Sequence, residues 1–173
     1  SRGRVHLMRA NHDCILTSSK TVNLDNSKLT CRISGLSNLS PSRVILDKNL
    51  SLKRNCNILK DAFKHKTIIF YNKSEKVKLN FFKKIKVKLF KAPLDESGNL
   101  NLKFILLKIK KMGYSRVFLE TGVKLTSSFF NNNLVDNFVL FISSRKLGAR
   151  GMGRFKNYMN KILKNRKGMI EKV

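Results

Sequence analysis

Two stretches carry the side chains that could hold or transform a ligand. In residues 117–128 (VFLETGVKLTSS) an apolar run ends at Glu120, Thr121 and Gly122 come next, and Lys124, Thr126, Ser127 and Ser128 fall in the first turns of an expected helix. A glycine there lets a ligand come close to the backbone, and a helix start offers N–H groups that attract phosphate oxygens. Pyrophosphate binding is the chemistry such a turn suits. The run is not G-x-G-x-x-G, and the same residues equally make a glycine turn capping an ordinary helix. In residues 13–32, Cys14-Ile15-Leu16 gives way to Thr17, Ser18, Ser19 and Thr21, then Asp25 and, seven residues on, Arg32. A carboxylate can accept from ribose hydroxyls or an amide, and an arginine can grip a phosphate at two points. A polar surface loop of Asx and Ser/Thr turns would read the same way.

The elements that must position these residues can be read from periodicity. Residues 1–11 read as the end of a helix, with Val5, Leu7, Met8 and Ala10 on its apolar side. Residues 14–18 are a short strand, and 19–42 a polar loop anchored by Leu24, Leu29 and Ile33. Residues 43–47 (RVILD) and 67–71 (TIIFY) are strands. Residues 77–79 and 87–90 alternate with lysines, as edge strands do. The clearest helix is 95–112: Asp95, Glu96 and Ser97 stand near its start, Leu102, Ile105, Leu106 and Ile109 recur at helical spacing, and Gly113 stops it. A strand at 117–120, a short helix at 125–132 and a buried strand at 137–142 (NFVLFI) complete an alternation that suits a three-layer α/β domain.

Composition bounds the partners. The 173 residues suffice for one domain with a core, and hydrophobic residues make up 42%. With 37 Lys+Arg against 10 Asp+Glu the net charge is +27. That balance favours polyanions, among them phosphorylated small molecules, nucleic acid and anionic membranes. A bias toward A/T-rich codons, which also supply Asn, Ile and Phe, is the competing reading and would supply many of the same lysines. Cys14, Cys31 and Cys56 form no C-x-x-C pair, and His6, His12 and His65 sit in no metal-binding pattern, so no metal site is expected. Buried free thiols in a reducing compartment are the expectation. No apolar run approaches the ~20 residues of a membrane span. The first residues lack a signal-peptide core and an initiator Met, so the chain is expected to begin partway through a larger protein. Residues 145–173 hold ten Lys+Arg and one acid. They read as a solvated tail, with Tyr158, Met159, Ile162 and Leu163 on one weak amphipathic face and nucleic-acid binding as the other reading.

The run Arg9-Ala10-Asn11-x-x-x-Ile15-Leu16-Thr17-Ser18-Ser19-x-Thr21-Val22-x-x-Asp25-x-x-x-Leu29-Thr30-x-Arg32 resembles the reductase domain of bacterial riboflavin-biosynthesis deaminase/reductase proteins. The pattern there is roughly R-A-x-S-D-A-I-L-x-G/S-x-x-T-V-x-x-D-x-P-x-L-x-x-R. Residues 43–47 are similar to its R-[IV]-[IV]-[IL]-D strand and residues 117–125 to its V-x-x-E-x-G-x-x-L motif. Leu134-Val135-Asp136 is similar to its G-L-[VI]-D and Lys146-Leu147-Gly148 to its K-x-[LI]-G.

The resemblance implies a dihydrofolate-reductase-like α/β fold, a mostly parallel or mixed sheet flanked by helices and lacking the first strand and the last strand pair. It implies a reductase domain over residues 1–148, incomplete at its N-terminus, and then a basic tail over 149–173 with some helix. The activity implied is reduction of 5-amino-6-(5-phosphoribosylamino)uracil by NADPH to the ribitylamino phosphate, in the cytoplasm and in a homo-oligomer. By position, Thr21 and Asp25 would contact NADPH, and Gly122, Val123, Lys124, Leu125, Thr126, Ser127 and Ser128 would hold its phosphates. Arg9, Leu29 and Arg32 would contact the phosphorylated pyrimidine, with Glu120 beside it as substrate contact and catalytic candidate. The protein's part would be to position two ligands and stabilise charge. No H-x-E and no P-C-x-x-C occur, so deamination is not expected, and Asn26-Ser27 stands where the pattern has an acid and a proline. The alternatives are an inactive remnant of that domain or a basic nucleic-acid-binding protein, whose affinity would fall steeply with salt.

Overall fold

The computed structural model describes residues 2–141. Its elements run α1 (Arg2–Ala10), β1 (Cys14–Ser18), α2 (Ser19–Asp25), β2 (Ser42–Leu46), α3 (Asn57–Lys60), β3 (Thr67–Tyr71), α4 (Lys76–Lys84), β4 (Lys88–Lys91), α5 (Leu102–Lys111), β5 (Val117–Leu119) and α6 (Val123–Asn131). The five strands form one sheet in the order β4-β3-β2-β1-β5, with every neighbouring pair parallel. Parallel neighbours need a crossover between them, and α2, α3, α4 and α5 each lie within one. The chain steps from β1 to β4 in one direction, then returns past β1 to place β5 on its far side. With right-handed crossovers, that reversal puts α2–α4 on one face of the sheet and α5 on the other.

Side-chain parity bears this out. Ile15, Ile45 and Ile69 share a buried cluster with Val22 of α2, Ile58 and Leu59 of α3 and Phe82 of α4. Leu16, Val44, Ile68 and Phe70 alternate with them and face the opposite layer. There the Phe70 and Phe90 rings stack at 5.6 Å, and the Lys108 ammonium of α5 lies 4.9 Å from the Phe90 centroid. β4, the sheet edge, presents Lys88 and Lys91 to solvent, which discourages further pairing. At the other end of the sheet, the Asp13 carboxylate accepts from the backbone N–H groups of Ser115 and Arg116, 2.7 Å each, and ties the lead-in of β5 to β1.

Four expectations are corrected. The segment 19–42 is not all loop: its start is α2, capped by the Ser18 hydroxyl, which accepts from Thr21 N–H, and closed by Asn26 in the left-handed region. Residues 77–79 are not a strand but part of α4; a parallel β3–β4 pair requires the crossover, and Leu79 and Phe82 pack on the cluster at helical spacing. The clearest helix begins at Leu102, capped by Asn101, because residues 94–100 turn back on themselves: Leu94 bridges Leu100 and the Asp95 carboxylate accepts from Asn99 N–H. Residues 137–141 have no regular secondary structure and leave Val139 and Phe141 about half exposed. A strand needs a ladder partner, and the described residues pair none with this stretch. Ile142, the Lys146-Leu147-Gly148 block, the expected boundary at 148/149 and the basic tail lie outside the described residues.

The chain divides into two compact units, residues 1–122 and 123–173. The described part of the second is α6 together with residues 132–141. Leu134 N–H closes α6 on Phe129 O, and the Phe130 and Phe138 rings meet edge to face at 5.3 Å.

Candidate functional site

Where strand order reverses in an open parallel sheet, a crevice opens beyond the carboxyl ends of the two diverging strands. In the first unit that point is β1/β5. Their register pairs Leu16 with Leu119, and Glu120 N–H donates to Leu16 O at 3.1 Å, so Glu120 stands beside Thr17 just past the end of the ladder. Three hydroxyls cross the gap. Ser18 Oγ and Thr21 Oγ1 lie 3.0 Å apart, and Thr21 Oγ1 lies 3.2 Å from Thr121 Oγ1. Buried Thr17 Oγ1 has no hydrogen-bond partner among the described residues.

α1 closes one side. Its Arg9 is 7% exposed and holds the Glu120 carboxylate at two points, Nε to Oε2 at 2.9 Å and Nη2 to Oε1 at 2.5 Å. Arg9 Nη1 also donates to Thr30 O at 3.0 Å. Three of the five guanidinium N–H groups are therefore used within the protein. One turn before Arg9, His6 Nδ1 lies 3.1 Å from Thr30 O and accepts from Arg32 N–H at 3.2 Å. Burial and the nearby Arg9 and Arg32 charges hold the His6 imidazole below its ordinary value.

The remaining predicted residues divide clearly. Arg32 is exposed, and its guanidinium meets no acceptor among the described residues. Leu29 is buried in the core cluster with φ +54°, so its side chain is turned away from solvent and its contribution is the left-handed bend that presents Thr30 and Arg32. Asp25 is exposed at the end of α2, and α2 itself is stapled to the segment after β2 by Asn23 and Asn26. Gly122 comes directly after the site, and a Cβ built there would meet no atom within 4 Å.

Val123, Lys124, Leu125, Thr126, Ser127 and Ser128 form the first turns of α6 in the second unit. Ser127 Oγ donates to Val123 O at 2.7 Å and Ser128 Oγ to Lys124 O at 3.2 Å. These hydroxyl protons are taken up within the helix, as short i−4 reaches allow. A helix start offers a phosphate the backbone N–H groups of its first turn.

Sequence reasoning missed three participants. His6 was legible only through its i, i+3 spacing from Arg9 on one helix face. The Thr30 carbonyl carries no sequence signal because any residue supplies one. Thr121 gains its role from the register of β5 against β1. The three cysteines are buried and free, and burial pushes the Cys14 thiol up to about 12, which leaves it inert near neutral pH.

Comparisons with known proteins identify the family and the fold. Riboflavin biosynthesis protein RibD of Aquifex aeolicus is 27% identical over 148 residues, covering 86% of this chain and 39% of that protein. A solved Thermotoga maritima structure, titled a diaminohydroxyphosphoribosylaminopyrimidine deaminase/5-amino-6-(5-phosphoribosylamino)uracil reductase, is 27% identical with a TM-score of 0.57, covering 76% of this chain and 34% of that one. Acinetobacter baumannii RibD superposes with a TM-score of 0.63 at 20% identity, covering 87% of this chain and 44% of that one, and shows the shared fold. The chain thus spans less than half the length of these relatives. The family described as the RibD C-terminal domain matches residues 1–171, which take in the helix that carries Arg9, the strand that leads to Glu120 and everything between, and on that match the chain belongs to the RibD C-terminal domain family.

Proposed function

We propose that the chain is an NADPH-dependent reductase module that converts 5-amino-6-(5-phosphoribosylamino)uracil to 5-amino-6-(5-phosphoribitylamino)uracil in riboflavin biosynthesis. The observation that carries this reading is the pairing of two unlike walls at one strand-order reversal: a hydroxyl wall of Ser18, Thr21 and Thr121, and a charged wall of Arg9, Glu120 and the Thr30–Arg32 backbone.

The donor set suits NADPH. Uncharged hydroxyls and the Asp25 carboxylate match amide and ribose groups, and Gly122 borders open space rather than packed protein. Thr21, Asp25 and Gly122 would hold the cofactor at the sheet edge, and residues 123–128 would offer its phosphates the start of α6. When bound, NADPH supplies the hydride. Arg32, whose fork meets no acceptor among the described residues, suits the anionic sugar phosphate. Glu120, fixed at both oxygens by Arg9, is oriented to accept from ribose hydroxyls or to steady charge on the opened sugar. Arg9 acts on the substrate chiefly through that carboxylate. By the same resemblance the protein would be cytoplasmic and a homo-oligomer; sedimentation of the pure protein reads the oligomeric state directly. No described helix is long and apolar enough to cross a membrane.

Fluorescence titration with NADPH tests the cofactor assignment. Asp25→Ala and Gly122→Val are expected to weaken a saturable NADPH complex. A Cβ at 122 would meet no described atom within 4 Å, so circular dichroism of the Gly122→Val protein beside the titration separates lost ligand room from misfolding. Unchanged NADPH binding in both variants would sink the assignment.

A further inference from the structure

His6 Nδ1 has two backbone neighbours that make opposite demands: Thr30 O, 3.1 Å away, needs a donor, and Arg32 N–H, 3.2 Å away, needs an acceptor. One ring nitrogen holds either a proton or a lone pair, never both. The conflict resolves through Arg9, whose Nη1 already donates to Thr30 O at 3.0 Å. Thr30 is thus satisfied without His6, and the Nδ1 lone pair is left for Arg32. The neutral ring that serves Arg32 N–H therefore carries its proton on Nε2.

We propose that His6 is a positioning residue that holds the main chain of Arg32 in place for an anionic sugar phosphate, and that protonation of His6 releases it. The inference rests on the reading of Arg32 as the phosphate contact. His6 and Arg9 sit one turn apart on α1, and both reach the same short stretch of chain. Arg9 fixes Thr30 and His6 fixes Arg32, so one helix face sets both the charged wall and the phosphate-binding arginine beside it. A proton on Nδ1 replaces the acceptor with a donor and adds a positive charge. The charged groups around the ring are Arg9 on α1, Arg32 on the facing segment and Glu120 past β5; the two arginines oppose that proton and Glu120 favours it. Burial, the largest influence, opposes it too and the Thr30 carbonyl favours it; the balance holds the ring below its ordinary value, so the neutral form persists as pH falls until the switch is thrown.

The test uses the full chain, ribose 5-phosphate as probe, and NMR of the Arg32 amide. His6→Asn keeps an acceptor near the Nδ1 position and cannot be protonated; His6→Leu removes the acceptor. In the wild type, ribose 5-phosphate is expected to bind at about pH 8. Its affinity should fall by about three-fold or more toward about pH 5.5, beyond the fall in His6→Asn, the size expected for one modest hydrogen bond. The phosphate's own titration near pH 6 is common to both proteins and cancels in the comparison. His6→Leu should bind weakly at both pH values, and the wild-type Arg32 amide shift should track the His6 titration. If the wild type binds but its Arg32 amide ignores His6, or His6→Leu binds as the wild type does at pH 8, the inference is overturned alone. If the wild type does not bind ribose 5-phosphate at pH 8 while the Arg32 amide does track His6, the phosphate reading of Arg32 is overturned, and the ligand half of the inference with it.

Discussion

Two buried arginines, Arg9 and Arg43, do opposite work with the same side chain. Arg43, fully buried at the start of β2, gives every guanidinium N–H to the protein: Nε and Nη2 to Thr67 Oγ1, Nη1 to Lys28 O and to the Asp61 carboxylate at 2.6 Å, Nη2 to the carbonyls of Ile58 and His65. It is a structural hub with nothing left for a ligand. Replacing it by Met leaves three carbonyls and a carboxylate short of donors, and is expected to cost about 3–5 kcal/mol, the usual range for breaking a buried charged pair. Urea unfolding measures this, and a loss under about 1 kcal/mol would show that the hub is dispensable. Among the described residues Arg9 keeps two N–H groups uncommitted, and it holds Glu120 just past the end of β5. Glu120→Gln preserves shape but removes the charge; it is expected to lower kcat/KM by about ten- to hundred-fold, the worth of one charge-assisted hydrogen bond, and to leave the NADPH Kd within about two-fold. Steady-state rates beside an NADPH titration separate the two effects. In the sequence both residues are an arginine ahead of an apolar strand, and nothing in type or spacing says which is structural. Their partners, Thr67 and Asp61 for one and Glu120 for the other, are brought up only by strand order.

At the scale of elements, α2 shows why part of the site was hard to read. Its residues are those of a polar loop, yet several of the polar groups have a structural place: Ser18 caps the helix, Asn26 ends it with φ +45°, and Asn23 and Asn26 bond to the main chain of residues 51–57. Loop-like composition here is a capped and stapled short helix, and only Val22 hints at its buried side. α4 misleads in the other direction, because lysines alternating with apolar residues over three positions match a strand until the required crossover is considered. The strands β1, β2 and β3 were legible because a parallel sheet buried on both faces leaves continuous apolar runs. Ser18→Ala is expected to cost about 1 kcal/mol in thermal or urea unfolding through loss of the cap. It should also weaken NADPH, because Thr21 loses the hydroxyl that orients it. Acid acts on elements too. His6 and His65 both sit below their ordinary value in the folded chain, with burial as the first cause. The unfolded chain therefore takes up protons first as pH falls through about 6.5, and folding stability declines with it. Urea midpoints at about pH 7.5 and 5.5 should show the lower value in acid, and no difference would mean that these rings are solvated in the folded state.

For the molecule as a whole, the charge of +27 and the proposed NADPH site predict different salt behaviour. A defined NADPH site should saturate at one ligand per chain and keep most of its affinity as salt rises, whereas general attraction of polyanions falls steeply. Titrations at about 50 and 300 mM salt distinguish them, and a signal that vanishes at the higher value counts against a shaped site. The crevice also has a place in the order of folding. Its cross-links run from Arg9 to Glu120, Thr21 to Thr121 and Asp13 to Arg116, each spanning 100 residues or more. β1 through β4 can assemble from successive neighbours, but β5 must find β1 after all of them, and such distant pairings form late. Hydrogen exchange is expected to show the amides of β5 opening before those of β1, β2 and β3. A chain caught before that last docking has most of its sheet and none of its site, so ligand binding reports that folding is complete, and a ligand that bridges the two strands slows the first step of coming apart.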